Sequence, residues 1–156
     1  MVSDRLISLQ ELLTDLYEQL SGQEKAFLRA PDDDKTRIQQ KIRDRKKEIQ
    51  KFKREYWEQL RTEARSLKVP EVEAQTTITA IAQEVEAVEA EAIYPNEAMQ
   101  ILRQILAELQ KPGTPASGKL KATLPLLPGL LGYEVELDTR GLLHRVFPPV
   151  RQLVGK

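Results

Sequence analysis

The hydrophobic residues of the first thirty positions recur every three or four residues. They are Leu6, Leu9, Leu13, Leu16, Tyr17, Leu20, Phe27 and Leu28. This spacing places them on one stripe of an α-helix. Ser3 can cap the start of that helix, and Pro31 predicts that it ends near Arg29–Ala30, because the residue before a proline disfavours helical backbone.

A second helix is predicted from the run Pro31 to Asp34 to about Leu67. Acidic residues in a first turn complement the helix dipole. The apolar positions are Ile38, Ile42, Ile49, Phe52, Tyr56, Leu60, Ala64 and Leu67, with Arg45 and Lys46 where the stripe would continue. Such a narrow stripe is typical of a coiled-coil seam. The short turn predicts an antiparallel hairpin, roughly 50 Å long at 1.5 Å per residue.

Two further helices follow this hairpin. Pro70 ends the second helix, and the positions Ile78, Ile81, Val85, Val88 and Ala92 predict a third from about Glu71 to Ala92. A turn at Tyr94-Pro95-Asn96 opens a fourth, which carries Met99, Leu102, Ile105, Leu106 and Leu109 and stops at Lys111-Pro112-Gly113.

Beyond a linker at residues 114–118 the hydrophobic period changes from three or four to two. Leu120, Ala122, Leu124 and Leu126 alternate with other residues, and Tyr133, Val135 and Leu137 alternate with Glu134, Glu136 and Asp138. Two alternating runs joined by a Pro-Gly segment predict a β-hairpin, with Pro125 restricting its first strand to an edge. A last short amphipathic helix is predicted from Leu142 to Val154, interrupted by Pro148-Pro149.

The predicted fold class is therefore mainly α. It consists of a long antiparallel, coiled-coil-like helical hairpin (residues 1–69), a helical pair (residues 70–112), and a third unit (residues 113–156) made of the linker, the small C-terminal β-hairpin and the short helix.

The charge of the chain is balanced overall but segregated along it. The net charge is zero, while residues 1–69 carry 16 basic and 13 acidic side chains, residues 70–110 one and eight, and residues 111–156 seven and three. An acidic middle between basic ends predicts pairing within the chain or between subunits. A zero total gives no general attraction to nucleic acid or membrane.

The residue types argue against catalysis, metal binding and cofactor binding. There is no cysteine, and the one histidine, His144, lies in an amphipathic segment without a defined array of partners. The run Asp32 to Asp34 lacks the spacing and glycine of a calcium loop. No phosphate-binding glycine loop or nucleophile elbow is present. We therefore expect a non-enzyme. No stretch is long and apolar enough to cross a bilayer and no signal peptide is evident, which indicates a cytoplasmic location, peripheral at the membrane if the apolar tail contacts lipid.

Two segments are candidate interaction surfaces. The first is the basic patch in residues 41–54, formed by Lys41, Arg43, Arg45, Lys46, Lys47, Lys51, Lys53 and Arg54, with the aromatic residues Phe52, Tyr56 and Trp57 at its end. It could follow phosphates. Alternatively, it is a solvated face opposite Glu11, Asp15 and Glu18 or opposite the acidic third helix.

The second candidate is the apolar tail, whose interaction candidates are Leu124, Leu126, Leu127, Leu130, Leu131, Tyr133, Val135 and Leu137. Exposed to water, so many leucines would be adhesive. They either pack on the helices, as core or oligomer interface, or contact a membrane surface together with the basic and apolar residues 142–153.

The stretch from Lys119 to Thr139 (KLKATLPLLPGLLGYEVELDT) resembles a segment that recurs in cyanobacterial proteins, as do Leu9–Tyr17 (LQELLTDLY) and Glu55–Leu60 (EYWEQL). In that family the segment ends a helical, effector-associated region fused to STAND-type NTPases, caspase-like peptidases or repeat modules. The resemblance implies an adaptor that acts by association with itself or with other proteins. It carries over no catalytic residue.

The sequence thus favours a non-catalytic protein–protein interaction module of a signalling or conflict system, with a protein partner and a homo-oligomer expected. A membrane-surface effector acting through the apolar tail is the alternative. Nucleic-acid binding through residues 41–54 ranks third, because the net charge is zero.

Overall fold

The computed structural model describes residues 2–135 and 137–154, and these residues form six α-helices and no β-strand. The helices are α1 (Asp4–Arg29), α2 (Asp32–Glu63), α3 (Glu71–Glu91), α4 (Asn96–Leu109), α5 (Ala116–Thr123) and α6 (Leu142–Val154). Shorter 3₁₀ segments cover Ala64–Ser66, Leu124–Tyr133 and Asp138–Arg140. The chain divides into two compact units, residues 4–56 and the described part of residues 57–156 together with Val2 and Ser3. None of these helices is long and apolar enough to cross a bilayer.

The first unit is an antiparallel pair of helices, α1 and the part of α2 up to Tyr56. Its turn is closed by a hydrogen bond from the Asp34 N–H to the Pro31 carbonyl oxygen (3.0 Å). Far from the turn, the Tyr56 hydroxyl donates to Gln10 Oε1 (2.7 Å) and Arg5 pairs with Glu55 (2.6 Å). The buried apolar residues follow the predicted stripes and are Leu6, Leu9, Leu13, Leu16, Leu20, Ile49 and Tyr56.

The second unit is organised around α3, which packs against α4, α5 and α6. Its buried positions recur every three or four residues and are Ala74, Thr77, Ile78, Ile81, Val85 and Val88. The helix α4 packs against α5 and against the 3₁₀ segment Leu124–Tyr133, which we call the leucine segment. Helices from four parts of the chain thus enclose one core.

The predicted C-terminal β-hairpin is wrong, because the described residues of 120–138 are helical or turn. Residues 116–123, which include part of the predicted linker, form α5, and the leucine segment continues in 3₁₀ turns. The meaningful spacing is three rather than two: Leu124, Leu127 and Leu130 are each 0% exposed. Residues three apart share one face of a 3₁₀ helix. Pro125 lies at the start of the leucine segment, where a backbone N–H would have no partner within the helix, so its absence costs no hydrogen bond.

The predicted second strand, residues 133–138, is also wrong. Turn hydrogen bonds run from Leu137 N–H to the Glu134 carbonyl (3.2 Å) and from Arg140 N–H to the Leu137 carbonyl (2.9 Å). Val135, one of the alternating apolar positions, is 49% exposed, whereas Glu134, one of the polar positions between them, is 0% exposed. Glu136 of this predicted strand lies outside the described residues. The last helix runs without a break from Leu142 to Val154, with Pro148 and Pro149 inside it.

The buried Glu134 carboxylate satisfies the start of α6. It accepts from the Leu143 N–H (3.1 and 3.2 Å to its two oxygens) and from the Tyr94 hydroxyl (2.9 Å), which in turn accepts from the Leu142 N–H (2.7 Å). The first N–H groups of a helix have no partner within the helix. Burial, followed by the negative charge of Glu134, raises the pKa of Tyr94, so the phenol stays protonated and can donate.

A second carboxylate satisfies the start of α5. Glu71, in the first turn of α3, accepts from the N–H groups of Ala116 (2.9 Å) and Ser117 (2.8 Å). A hydrogen bond from the Ser117 side chain, together with the Ser117 and Ala116 N–H groups, lowers the pKa of Glu71 below its usual 4.5. Each of the two short C-terminal helices therefore begins on a glutamate from another segment.

The space for Glu134 depends on Gly141, and this gives a first prediction. A Cβ at position 141 would lie 2.6 Å from the Glu134 carboxyl carbon, whereas a Cβ at Gly132 would meet nothing within 4 Å. We expect Gly141→Ala to lower the free energy of unfolding by about 1–3 kcal/mol, as overpacking does. Urea unfolding followed by circular dichroism measures this. Gly132→Ala is the matched control, and equal stability of the two variants would contradict the assignment.

Glu71 gives a prediction about acid stability. Because the pKa of Glu71 is lower in the folded protein, its contribution is present above about pH 4.5 and is lost as the pH falls through the folded value. We expect Glu71→Gln to be less stable at neutral pH and to show a smaller fall in Tm on acidification. The control is Glu86→Gln, an exposed position on the same helix. If both variants lose Tm on acidification as the unchanged protein does, the Glu71 contacts do not stabilise α5.

Candidate functional site

The half of the hairpin nearest its turn, residues 21–48, contains no buried side chain. We call it the hairpin tip. Burial in the first unit ends at Leu20 on α1 and begins again at Ile49 on α2. The boundary coincides with Arg45 and Lys46, the two residues that interrupt the apolar stripe of α2. Most helical stability in proteins comes from packing of an apolar face, so the tip lacks the main source of stability that the rest of the hairpin has.

Local ion pairs on the tip compensate for this in small part. Lys35 lies 3.8 Å from Asp32, Arg37 lies 3.4 Å from Asp34, and Arg45 lies 3.0 Å from Glu48. All three pairs are spaced three residues apart and are solvent-accessible. Such pairs contribute about 0.2–0.5 kcal/mol each. They do not replace a core.

An apolar groove of about 300 Å³ lies between the two helices of the tip. Its lining residues are Glu24, Phe27 and Leu28 from α1 and Gln39, Ile42 and Lys46 from α2. Leu28 is 79% exposed, and Phe27, Ile38 and Ile42 are half-buried. The Lys35 ammonium lies 5.5 Å from the centre of the Phe27 ring. The groove thus combines apolar side chains with one acidic residue, Glu24, on the α1 side and one basic residue, Lys46, on the α2 side.

The eight residues of the predicted basic patch all lie on α2 but do not form one surface. Lys53 is 1% exposed, Lys46 and Arg45 are half-buried, and the remaining five, Lys41, Arg43, Lys47, Lys51 and Arg54, are exposed. Four of these five, Arg43, Lys47, Lys51 and Arg54, are spaced by four, four and three residues. That spacing places them on one line of a helix surface, and we call it the cationic stripe.

The cationic stripe carries charge that the described part of the chain does not neutralise. Within residues 2–135 and 137–154, Arg43, Lys47 and Arg54 have no ion pair or side-chain hydrogen bond. The Lys51 ammonium lies 5.3 Å from the centre of the Phe52 ring. Ile49 and Tyr56, which are buried, lie on the opposite side of α2 at 3.6 residues per turn.

The aromatic residues predicted beside the basic patch are mostly internal. Tyr56 is 0% and Trp57 is 1% exposed, and Phe52 is half-buried. Tyr56 donates its hydroxyl proton to the buried Gln10 side chain. These rings therefore pack within the protein and leave no broad aromatic platform beside the stripe.

The interaction candidates of the apolar tail are divided between interior and surface. Leu124, Leu127, Leu130 and Leu131 are buried, Leu126, Tyr133 and Leu137 are half-buried, and Val135 is exposed. Val135 is the one exposed large hydrophobic residue among the described positions of 120–154. In this conformation most of the leucine side chains are part of the second unit's core.

The acidic middle of the sequence is partly neutralised inside the second unit. Arg145 on α6 pairs with Glu91 (2.6 Å) and lies 3.9 Å from Glu84, while its Nε donates to the Arg140 carbonyl (3.1 Å). Glu71 caps α5. Pairing of the acidic middle was predicted either within the chain or between subunits. For these glutamates it occurs within the chain.

The residues considered for metal binding form no metal site in the described residues, where no group of three His, Asp or Glu side chains comes together. His144 is half-buried on α6. Asp32 and Asp34 lie in the first turn of α2 beside the basic side chains three residues on.

A second groove of about 230 Å³ lies between α3 and α6, lined by Val72, Glu73, Thr76, Thr77, Ala80, Pro149, Gln152 and Leu153. Val72 at its edge is 79% exposed.

Sequence reasoning missed the groove at the hairpin tip, because Phe27, Leu28, Ile38 and Ile42 were assigned to the apolar seam of the hairpin. The sequence contains one indication of it: Arg45 and Lys46 interrupt the apolar stripe of α2, so the stripe does not continue from the buried half of the hairpin into the tip. Comparisons with protein-family models, with curated proteins and with solved structures found no match.

The leucine segment gives a prediction about the core. Leu127 is 0% exposed, so we expect Leu127→Ala to lower the free energy of unfolding by about 2–5 kcal/mol, the cost of a core cavity. Val135→Ala, at a position 49% exposed, is the control and should change stability little. Chemical denaturation compares the two. A Leu127→Ala variant as stable as the control would show that the segment does not pack on the helices.

Proposed function

We propose that this protein is a helical protein–protein interaction module and that the hairpin tip is its docking surface. The observation that carries the proposal is the absence of any buried side chain from residue 21 to residue 48, although the segment carries Phe27, Leu28, Ile38 and Ile42. A helical segment of this length gains most of its stability from packing. A partner that covers these side chains would supply that packing.

The partner that the tip fits is a second copy of this chain. Two helices with a shared apolar face are half of a four-helix bundle, and two hairpins placed face to face complete it. The second copy brings the same four apolar side chains, so each copy fills the open groove of the other. Closed two-fold dimers are also the commonest form of self-association among soluble proteins.

The resemblance to the effector-associated region of cyanobacterial signalling proteins points in the same direction, because it implies an adaptor that acts by association. Adaptor action in a signalling or conflict system thus remains our leading proposal. The membrane-surface alternative has less support, since Leu124, Leu127, Leu130 and Leu131 are buried and would first have to leave the core.

Self-association is tested by size-exclusion chromatography with light scattering over a range of protein concentrations. We expect a mass near 36 kDa, twice the 17.8 kDa of the chain, to appear at micromolar concentrations. Leu28→Glu should shift the equilibrium to monomer because it places a charge in the apolar interface. The 79% exposure of Leu28 means that folding should be unaffected, which circular dichroism checks.

Val72→Glu is the matched control, since Val72 is also 79% exposed but lies on α3. A strict monomer at high concentration would contradict the homotypic proposal. A dimer that Val72→Glu disrupts and Leu28→Glu does not would place the interface elsewhere.

A further inference from the structure

The cationic stripe on α2 is not used by the proposed dimer, and its charges require a separate explanation. Arg43, Lys47, Lys51 and Arg54 are exposed, whereas the groove lies on the side of the helix that carries Ile42 and Lys46. At 1.5 Å per residue the four cations extend over roughly 16 Å. Four like charges in a line repel one another, so a row of this kind favours a ligand that neutralises all of them at once.

The two acidic residues that interrupt the basic run in the sequence do not interrupt it in space. Glu48 pairs with Arg45 at 3.0 Å, and Asp44 accepts a hydrogen bond from the Gln40 side chain (3.0 Å). At 100° per residue both carboxylates flank the stripe on one side, within one helical turn of Lys47 and Lys51, and in the described residues they form no ion pair with either lysine. The zero net charge of the whole chain therefore conceals a local excess of positive charge along this part of α2.

The ligand class follows from what surrounds the stripe. A helix that lies on a membrane needs an apolar face next to its basic residues, but α2 buries Ile49 and Tyr56 on its opposite side. Single-stranded nucleic acid is bound with aromatic stacking platforms, and Tyr56 and Trp57 are buried. A duplex backbone requires neither, because its phosphates form a dense and regular line of negative charge.

We propose that the cationic stripe binds the phosphate backbone of double-stranded nucleic acid. The contacts are to phosphates, which position a protein without reading sequence, so binding is independent of base composition. Arg43 and Arg54 at the two ends can each contact a phosphate with two N–H groups, and Lys47 and Lys51 contribute point charges between them.

Four neutralised phosphates set a quantitative expectation. The logarithm of the binding constant should fall with the logarithm of salt concentration with a slope of about −3.6, which is about −0.9 per phosphate contact. Between about 50 and 200 mM salt this corresponds to a loss of about 150-fold in affinity. The measurement is fluorescence anisotropy of the full chain with a labelled DNA duplex of about 20 base pairs, repeated with a second duplex of different sequence.

Two double variants of the same composition separate the stripe from general charge. Arg43→Gln/Arg54→Gln removes two stripe cations and should reduce the slope to about −1.8. Arg29→Gln/Arg37→Gln removes two exposed arginines of the hairpin tip that lie outside the stripe, and it should leave the slope near that of the unchanged protein. The assay is also run on Leu28→Glu, so that failure of the dimer and failure of the stripe remain distinguishable.

Three results would overturn the proposal. They are the absence of duplex binding at about 50 mM salt, an equal loss of affinity in the two double variants, and binding to phosphatidylserine vesicles without binding to the duplex. Equal affinity for the two duplex sequences, with a slope that the stripe variant reduces and the hairpin-tip variant does not, would support it.

Discussion

The second unit depends on one buried carboxylate, that of Glu134. An ionised carboxyl removed from water is costly unless hydrogen bonds replace those of the solvent. Here the Leu143 N–H and the Tyr94 hydroxyl replace them, and the phenol also satisfies Leu142. Tyr94 follows α3 and Gly141 precedes α6, so one contact fixes the turn after α3, the end of the leucine segment and the start of α6.

This constraint explains features that look unrelated in the sequence. Ala92 has a left-handed backbone (φ 53°), which ends α3 two residues before Tyr94. Gly141 carries no side chain because the Glu134 carboxyl occupies that space. Arg145, one turn into α6, pairs with Glu91 on α3. A local change at any of these positions would affect the same junction.

The sequence predicted the helices well and the C-terminal region poorly, for physical reasons. In residues 4–109 apolar residues recur every three or four positions. This spacing identifies a helix, because a strand would not place such residues on one face. In residues 120–133 leucines are so frequent that a period of two, typical of a strand, and a period of three, typical of a 3₁₀ helix, fit equally well. The two prolines favoured the strand and turn interpretation, which is wrong. The burial of Glu134 depends on Tyr94 and Gly141, which are far apart in sequence, and no local pattern reports it.

The candidate surfaces were predictable to different degrees. The basic composition of residues 41–54 is evident from the sequence, but the stripe becomes evident once Lys53 is seen to be buried and Arg45 to be paired. The exposed groove of the hairpin tip could not be predicted, because Phe27, Leu28, Ile38 and Ile42 have the spacing of a buried helical seam. Whether such residues are buried depends on the total packing available, which spacing alone does not measure.

The two proposed surfaces lie on different sides of α2, so neither excludes the other. The groove of the hairpin tip is lined by Ile42 and Lys46, whereas the cationic stripe lies opposite the buried Ile49 and Tyr56. A dimer that closes the groove would therefore leave the stripe of each copy exposed. Each stripe would contact phosphates with its own four cations, so self-association would change the number of duplex sites per particle and not the salt dependence of a single site.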